Sequence, residues 1–313
     1  MQGKILITGG TGFIGTHLAE SLRHEYDIVL FDNYRRDSVR HIPELAEAGN
    51  VRIIRGDVLD LQALTEAMNG ADIVLHLAAI AGVSSYYNEP VATLRVNILG
   101  TLNVLEAMRH TGTRRMIDFS TSEVYGVHAD NVDEEAPHGI GPVSERRWVY
   151  AVSKLASEHF TLRYGEEYGM ECTCIRPFNI YGPRQTGEGC ISNFCNNLIS
   201  GEPLLIHGRG EDVRAWCYIT DMVEAVRLIL KIPESIGKAF NIGNPAAAAS
   251  TMEIAELLIA AYGRGEIKFV EAPHSGIARR IPNIDRARNL LGFHPKVALP
   301  EGLAQTLRWY QGA

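Results

Sequence analysis

The chain has 313 residues, 46% hydrophobic and 21% charged, enough for one large α/β unit with a smaller appendage. Its formal net charge of -7 argues against a general nucleic-acid binder. No long uncharged apolar window marks a membrane span, and the first apolar run is too short for a signal peptide, so a cytoplasmic location is expected. Five cysteines (Cys172, Cys174, Cys190, Cys195 and Cys217) without a Cys-x-x-Cys pair point to reduced thiols and no zinc or disulfide framework.

Lys4–Thr8 reads as a strand and runs into Gly9-Gly10-Thr11-Gly12-Phe13-Ile14-Gly15, which opens a helix. Glycines let backbone approach a pyrophosphate, and a helix amino terminus offers it free N–H groups. The spacing is Gly-x-x-Gly-x-x-Gly, in the strand–turn–helix setting such a loop requires. The next strand, Asp27–Asp32, ends on an acid about 20 residues later, where a carboxylate binds adenosine ribose hydroxyls. Asp32 would repel a 2′-phosphate, so NAD is favoured over NADP, with Arg35 and Arg36 tempering the preference.

A third strand, Val51–Arg55, leads to Asp57 and Val58, where Asp57 is placed to meet the adenine amino group. A helix starts near Leu61. Residues 73–77 form the fourth strand, and Leu77, Ala78 and Ala79 at its end are the next expected cofactor contacts, with His76 read as a core histidine. A helix from Pro90 carries Asn97, and a strand over residues 115–120 delivers Thr121-Ser122-Glu123-Val124-Tyr125-Gly126. The helix from Val149 holds Tyr150 and Lys154. Residues four apart share a helix face, so an ammonium is expected beside a phenol. Tyrosine titrates near ~10, and a neighbouring cation favours its phenolate.

Residues 171–176 complete six apolar runs alternating with helices, and a further helix begins near Asp221. This alternation implies a doubly wound parallel sheet (Rossmann) with helices on both faces. Regularity ends after Arg176: residues 185–210 are loop-like around one helix, and residues 245–313 hold two helical patterns. Residues 1–178 and 212–243 are expected to form the NAD-binding domain. Residues 179–211 and 244–313 are expected to form a smaller substrate-binding domain, the two making one rigid body.

The glycine loop, Thr121, Tyr150 and Lys154 together resemble the extended short-chain dehydrogenase/reductases that modify nucleotide sugars, over nearly the whole chain. That resemblance implies Tyr150 as base for a sugar hydroxyl and Lys154 as its electrostatic partner and ribose ligand. Thr121 would hydrogen-bond the reacting oxygen, and Asn97 would lie in the helix beneath the site. Asn179 would contact sugar or diphosphate, and Arg214 the diphosphate, although Trp216 and Cys217 depart from the residues usual after such an arginine. Val83 and Tyr86 fall where a substrate pocket would be lined, in a segment (residues 79–87) unlike that of the decarboxylases. Family members pair through helices near residues 90–110 and 150–164, so a homodimer is expected.

Oxidation at C4 acidifies the C5 hydrogen and makes a C5 carboxylate a β-keto acid, so one intermediate serves epimerisation, 4,6-dehydration or decarboxylation. Glu123 resembles the glutamate of dehydratases and UDP-glucuronate decarboxylases, where a carboxylate beside C5 acts as base or helps expel CO2. Ser122 replaces the aspartate of many dehydratases. Arg280-Ile281-Pro282-Asn283-Ile284 and the stretch from Gly141 to Tyr150 resemble decarboxylase segments, with Arg280 reaching the active site. UDP-glucuronate decarboxylation is the leading expectation, then a 4,6-dehydratase, then a 4-epimerase. A non-catalytic dinucleotide sensor is the remote alternative.

Overall fold

The structure is a computed structural model describing residues 2–271 and 277–312. Seven strands build its main sheet: β1 (Lys4–Thr8), β2 (Asp27–Asp32), β3 (Val51–Arg55), β4 (Ile73–His76), β5 (Arg115–Phe119), β6 (Glu171–Pro177) and β7 (Ala239–Ile242). They lie in the order β7-β6-β5-β4-β1-β2-β3, and every pairing is parallel. This is the doubly wound α/β sheet. The strands read as continuous apolar runs because both faces are covered. In β1, Ile5 and Ile7 join one apolar cluster while Leu6, between them, joins the other.

The strand β7 is absent from the sequence reading. It is four residues long, and its third residue is Asn241, which interrupts the apolar run yet is wholly buried. Asn241 is satisfied there: its N–H donates to Glu134 Oε1 at 2.8 Å and its amide donates to Val132 O at 2.9 Å.

The sequence also hides a four-stranded sheet made of Ala248–Ser250, Val213–Ala215, Arg279–Pro282 and Asp130–Val132, each only three or four residues long. Val213–Ala215 and Arg279–Pro282 run parallel with Arg214 opposite Arg280. Asp130–Val132, which follows the Thr121–Gly126 segment, pairs with Arg279–Pro282 on the other side. The cluster containing Ile5 and Ile7 also takes in Phe194, Leu198, Ile254 and Leu303 from the segments outside the main sheet. Among the described residues no helix is long and apolar enough to cross a membrane.

Candidate active site

A cleft of about 500 Å³ opens at the carboxyl ends of the main strands, the edge where open α/β sheets bind ligands. Gly9, Gly12, Phe13, Ile14, Gly15, Asp32, Asp57, Val58, Leu77, Ala78 and Ala79 line it at one side, and Thr121 and Tyr150 at the other. The glycine loop has no room for side chains. A Cβ on Gly9, whose φ is +68°, would meet Ala78 N at 2.8 Å, and one on Gly15 would meet Gly10 O at 2.7 Å. The helix Phe13–Leu22 starts here with Gly12 as its amino cap, so its first N–H groups face the cleft end of the loop. Thr11 Oγ1, in the loop, is buried with no hydrogen-bond partner among the described residues. This cradle fits a dinucleotide.

Asp32 is fixed by backbone, accepting from Thr11 N at 3.0 Å and Tyr34 N at 2.7 Å. Arg35 pairs with Glu89 at 2.9 Å, and Arg36 Nη2 donates to Ala81 O at 2.5 Å. Both arginines line the cleft beside Asp32 with their guanidinium groups already engaged by Glu89 and Ala81 O.

Two residues expected at the cofactor are not on the cleft wall. Asn97 is wholly buried in a π-helical turn, Arg95–Leu99. Its Oδ1 accepts from Ile80 N at 2.8 Å, and its Nδ2 donates to Ile80 O at 3.2 Å and Ser153 Oγ at 2.9 Å. It holds the Ile80 loop to the helix Trp148–Tyr168 instead of touching the cleft. Lys154 is 1% exposed, with Nζ 3.4 Å from Asp118 Oδ1.

In the protein alone, the Lys154 ammonium is paired at the sheet. Burial first, then the Glu123 carboxylate, push the Tyr150 phenol up to about 12, against a hydrogen bond with Thr121 and the charge of Arg36. The lysine's charge is answered by Asp118, a partner 36 residues away in sequence.

Thr121 caps the short turn Ser122–Tyr125, its Oγ1 accepting from Glu123 N at 3.2 Å. That turn presents Glu123 to three arginines. Oε1 accepts from Arg280 Nη1 at 2.5 Å, and Oε2 lies 3.9 Å from Arg147 Nη2. Burial pushes the Glu123 carboxyl up, but Arg280, then Arg147 and Arg214, hold it below the ordinary glutamate value. It is a carboxylate at neutral pH.

Arg280 is 4% exposed, and its Nε and Nη2 are buried without partners among the described residues. Burial and the charge of Arg280 push the neighbouring Arg214 down to about 10, with Asp212 at 3.3 Å as its counter-charge. A buried cation beside a half-buried one is a site for anions.

Tyr86 is 4% exposed, its ring parallel to that of Tyr150 (7°) with centroids 6.1 Å apart. Tyr86, Val83, Ser122, Asn179 and Arg214 all stand outside the lining of the cleft. Val83 is half exposed, and Ser122 is buried behind Thr121. Asn179 donates from Nδ2 to Ala215 O at 3.2 Å, its backbone at φ +43°. Sequence reading missed Arg147 as a site residue. Its signal was available: three positions before Tyr150, it is the amino-cap residue of the same helix.

A family model described as the NAD dependent epimerase/dehydratase family matches residues 5–243. The UDP-N-acetyl-alpha-D-glucosaminuronate decarboxylase of Bacillus cytotoxicus is 34% identical, over 99% of this chain and 98% of its own length. UDP-glucuronic acid decarboxylase 1 of Xenopus tropicalis is 33% identical, over 98% of this chain and 72% of its own. Among solved structures, UDP-glucuronic acid 4-epimerase from Bacillus cereus, in complex with UDP-glucuronic acid and NAD, is 28% identical over 99% of both chains, with a TM-score of 0.91.

Proposed function

Because the chain belongs to the NAD dependent epimerase/dehydratase family, as an NAD-dependent nucleotide-sugar enzyme, we propose that it decarboxylates a UDP-linked uronate, UDP-glucuronate first. The observation that carries this is Arg280: a buried guanidinium with two unpartnered nitrogens, set against the Glu123 carboxylate. A neutral hexose offers such a group hydroxyl acceptors but no charged fork. A substrate carboxylate supplies the fork acceptor that Nε and Nη2 lack.

When bound, NAD supplies reversible hydride acceptance from the sugar C4. Tyr150 takes the proton of the C4 hydroxyl, and Thr121, hydrogen-bonded to it, holds that oxygen in place. Once C4 is a ketone, the C5–carboxylate bond breaks and its electrons pass to the C4 oxygen, beside Thr121 and Tyr150. Glu123 favours that loss because two carboxylates in a closed pocket repel, and Arg280 keeps both in register until the bond breaks. Arg214 is assigned to the diphosphate. The resemblances to the two decarboxylases support this choice of reaction.

A second reading is 4-epimerisation of the same uronate, since Arg280 would hold its carboxylate equally well and the Bacillus cereus epimerase has this fold. Ser122, where many dehydratases carry an acid, weighs against a dehydratase, although the GDP-mannose dehydratases also have Thr-Ser-Glu. Incubation of purified protein and NAD with UDP-glucuronate and, in parallel, with neutral UDP-hexoses, read by chromatography coupled to mass spectrometry, separates the three. Loss of CO2 is expected. A product of unchanged mass makes it an epimerase, and turnover of a neutral UDP-hexose with loss of water makes it a dehydratase.

We also propose a homodimer through the helices Gly100–Thr111 and Trp148–Tyr168, near which Val91, Leu99 and Val152 are exposed. Sedimentation giving a monomer at micromolar concentration would exclude it. The boundaries at residues 178, 211 and 243 are likewise a proposal.

A further inference from the structure

Asp118 and Lys154 form a pair that the proposed chemistry does not call for. Asp118 sits on β5, three residues before Thr121, with no exposed surface. Met116, two residues earlier on the same face, packs in an apolar cluster with Leu6, Val74 and Leu105. Burying a carboxylate there is costly unless it is paired. Asp118 Oδ1 has Lys154 Nζ at 3.4 Å, while Oδ2 has no partner among the described residues. Burial pushes the Asp118 carboxyl up and Lys154 pulls it down.

The other titratable groups facing the pair are quiet. His76 on β4 is held neutral by burial and by Lys154. Burial pushes the thiols of Cys172 and Cys174 on β6 up, and Glu158 is committed to Arg176 at 2.8 Å. Asp118 is therefore the counter-charge in that pocket for Lys154. Tyr150 faces Glu123 and Tyr86, with Arg36 across the cleft, and feels Asp118 as a further negative charge. A loose contact at 3.4 Å suits a lysine that must leave it. Lys154 stands outside the cleft lining, so turning its ammonium to a cofactor ribose there would loosen the Asp118 contact further.

We propose that Asp118 is a positioning residue that holds the Lys154 ammonium against the sheet and yields it to the cleft once the cofactor ribose is in place. Activation of the Tyr150 phenol then waits on cofactor binding. This rests on Tyr150 as the base and not on which sugar is processed.

The test is Asp118→Asn, stripped of cofactor and titrated with NAD by calorimetry at neutral pH. With Lys154 no longer held back, NAD should bind about tenfold more tightly, the scale of one charge-assisted hydrogen bond. In the NAD-loaded protein the Tyr150 phenolate, read as the ultraviolet difference against Tyr150→Phe, should appear about one pH unit lower. Equal or weaker NAD affinity in a folded Asp118→Asn protein overturns the proposal. So does a gain in affinity that persists when Lys154→Met is already present, since Asp118 would then not act through the lysine. Should Asp118→Asn fail to fold, Asp118→Glu, which keeps the charge, must bind NAD no more tightly than the natural protein; tighter binding overturns the idea. These readouts need no sugar, so absence of decarboxylation beside them would sink only the substrate reading.

Discussion

Arg280 Nη1 donates to Glu123 Oε1 at 2.5 Å across 157 residues of sequence. The contact is made by two elements that meet nowhere else in the local pattern: a four-residue strand and the turn after β5. The parallel register that sets Arg214 opposite Arg280 brings both cations to the same carboxylate. Arg280→Gln removes the donor fork while keeping some of its volume. Decarboxylation should fall by about 10²–10³, the scale of losing one preorganised donor, while NAD content stays unchanged. The acid limb of the pH profile should also move to higher pH, because burial of Glu123 would no longer be outweighed by its strongest cation. CO2 release measured across pH checks both, and an unmoved acid limb would separate Glu123 from the pH dependence.

Tyr150→Phe removes the proton acceptor but leaves a ring of the same shape against Tyr86. Turnover should drop by about 10²–10⁴, with NAD still bound when the protein is purified. Unchanged activity would take the phenol out of the mechanism.

Asn97→Ala tests support of the cleft floor without touching it. The substitution leaves Ile80 N and O buried and unpaired, a cost of about 1–3 kcal/mol. A lower melting temperature is expected, with weaker NAD binding, because Ile80 and its neighbours Ala79 and Ala81 line the cleft. If melting falls and NAD affinity does not, Asn97 braces the helices alone.

Local pattern carried six of the seven main strands, the glycine loop and Asp32, because each is written in contiguous residues whose spacing matches a single element, whereas Thr121 and Glu123 were read by resemblance. Arg280 was legible only by resemblance, and its pairing with Glu123 was not legible at all. What stayed hidden was set by non-local pairing: β7 with its buried Asn241, the three- and four-residue strands that place Arg214 and Arg280, and Asp118 as the answer to Lys154. The helix spacing of Tyr150 and Lys154 is a true statement about their shared helix, but it says nothing about where a long side chain ends. Lys154 ends at the sheet because a buried carboxylate draws it there.

His17 offers a check on stability that is independent of the chemistry. Its Nε2 lies 3.0 Å from Pro183 O, and its Nδ1 lies 2.6 Å from Arg184 Nη2, which also reaches Glu20 at 2.6 Å. The carbonyl needs the proton on Nε2, so Nδ1 is the acceptor for the guanidinium and the ring is neutral. Burial, then the charge of Arg184, push His17 down to about 4. The unfolded chain therefore binds this proton first as pH falls, and the stability His17 contributes is present above its ordinary value and lost between about 6.5 and 4. The shift is worth about 3 kcal/mol at most. His17→Gln, whose amide can still donate to Pro183 O and accept from Arg184, has no proton to gain. Its melting temperature should fall less between about pH 7 and pH 4.5 than that of the natural protein. The loop it anchors carries Gln185 and Thr186 to the cleft, so the natural protein should also release NAD more readily at the lower pH. Equal losses for the two proteins would place the acid sensitivity elsewhere, with His41 and His138, both also lowered by burial, the next to substitute.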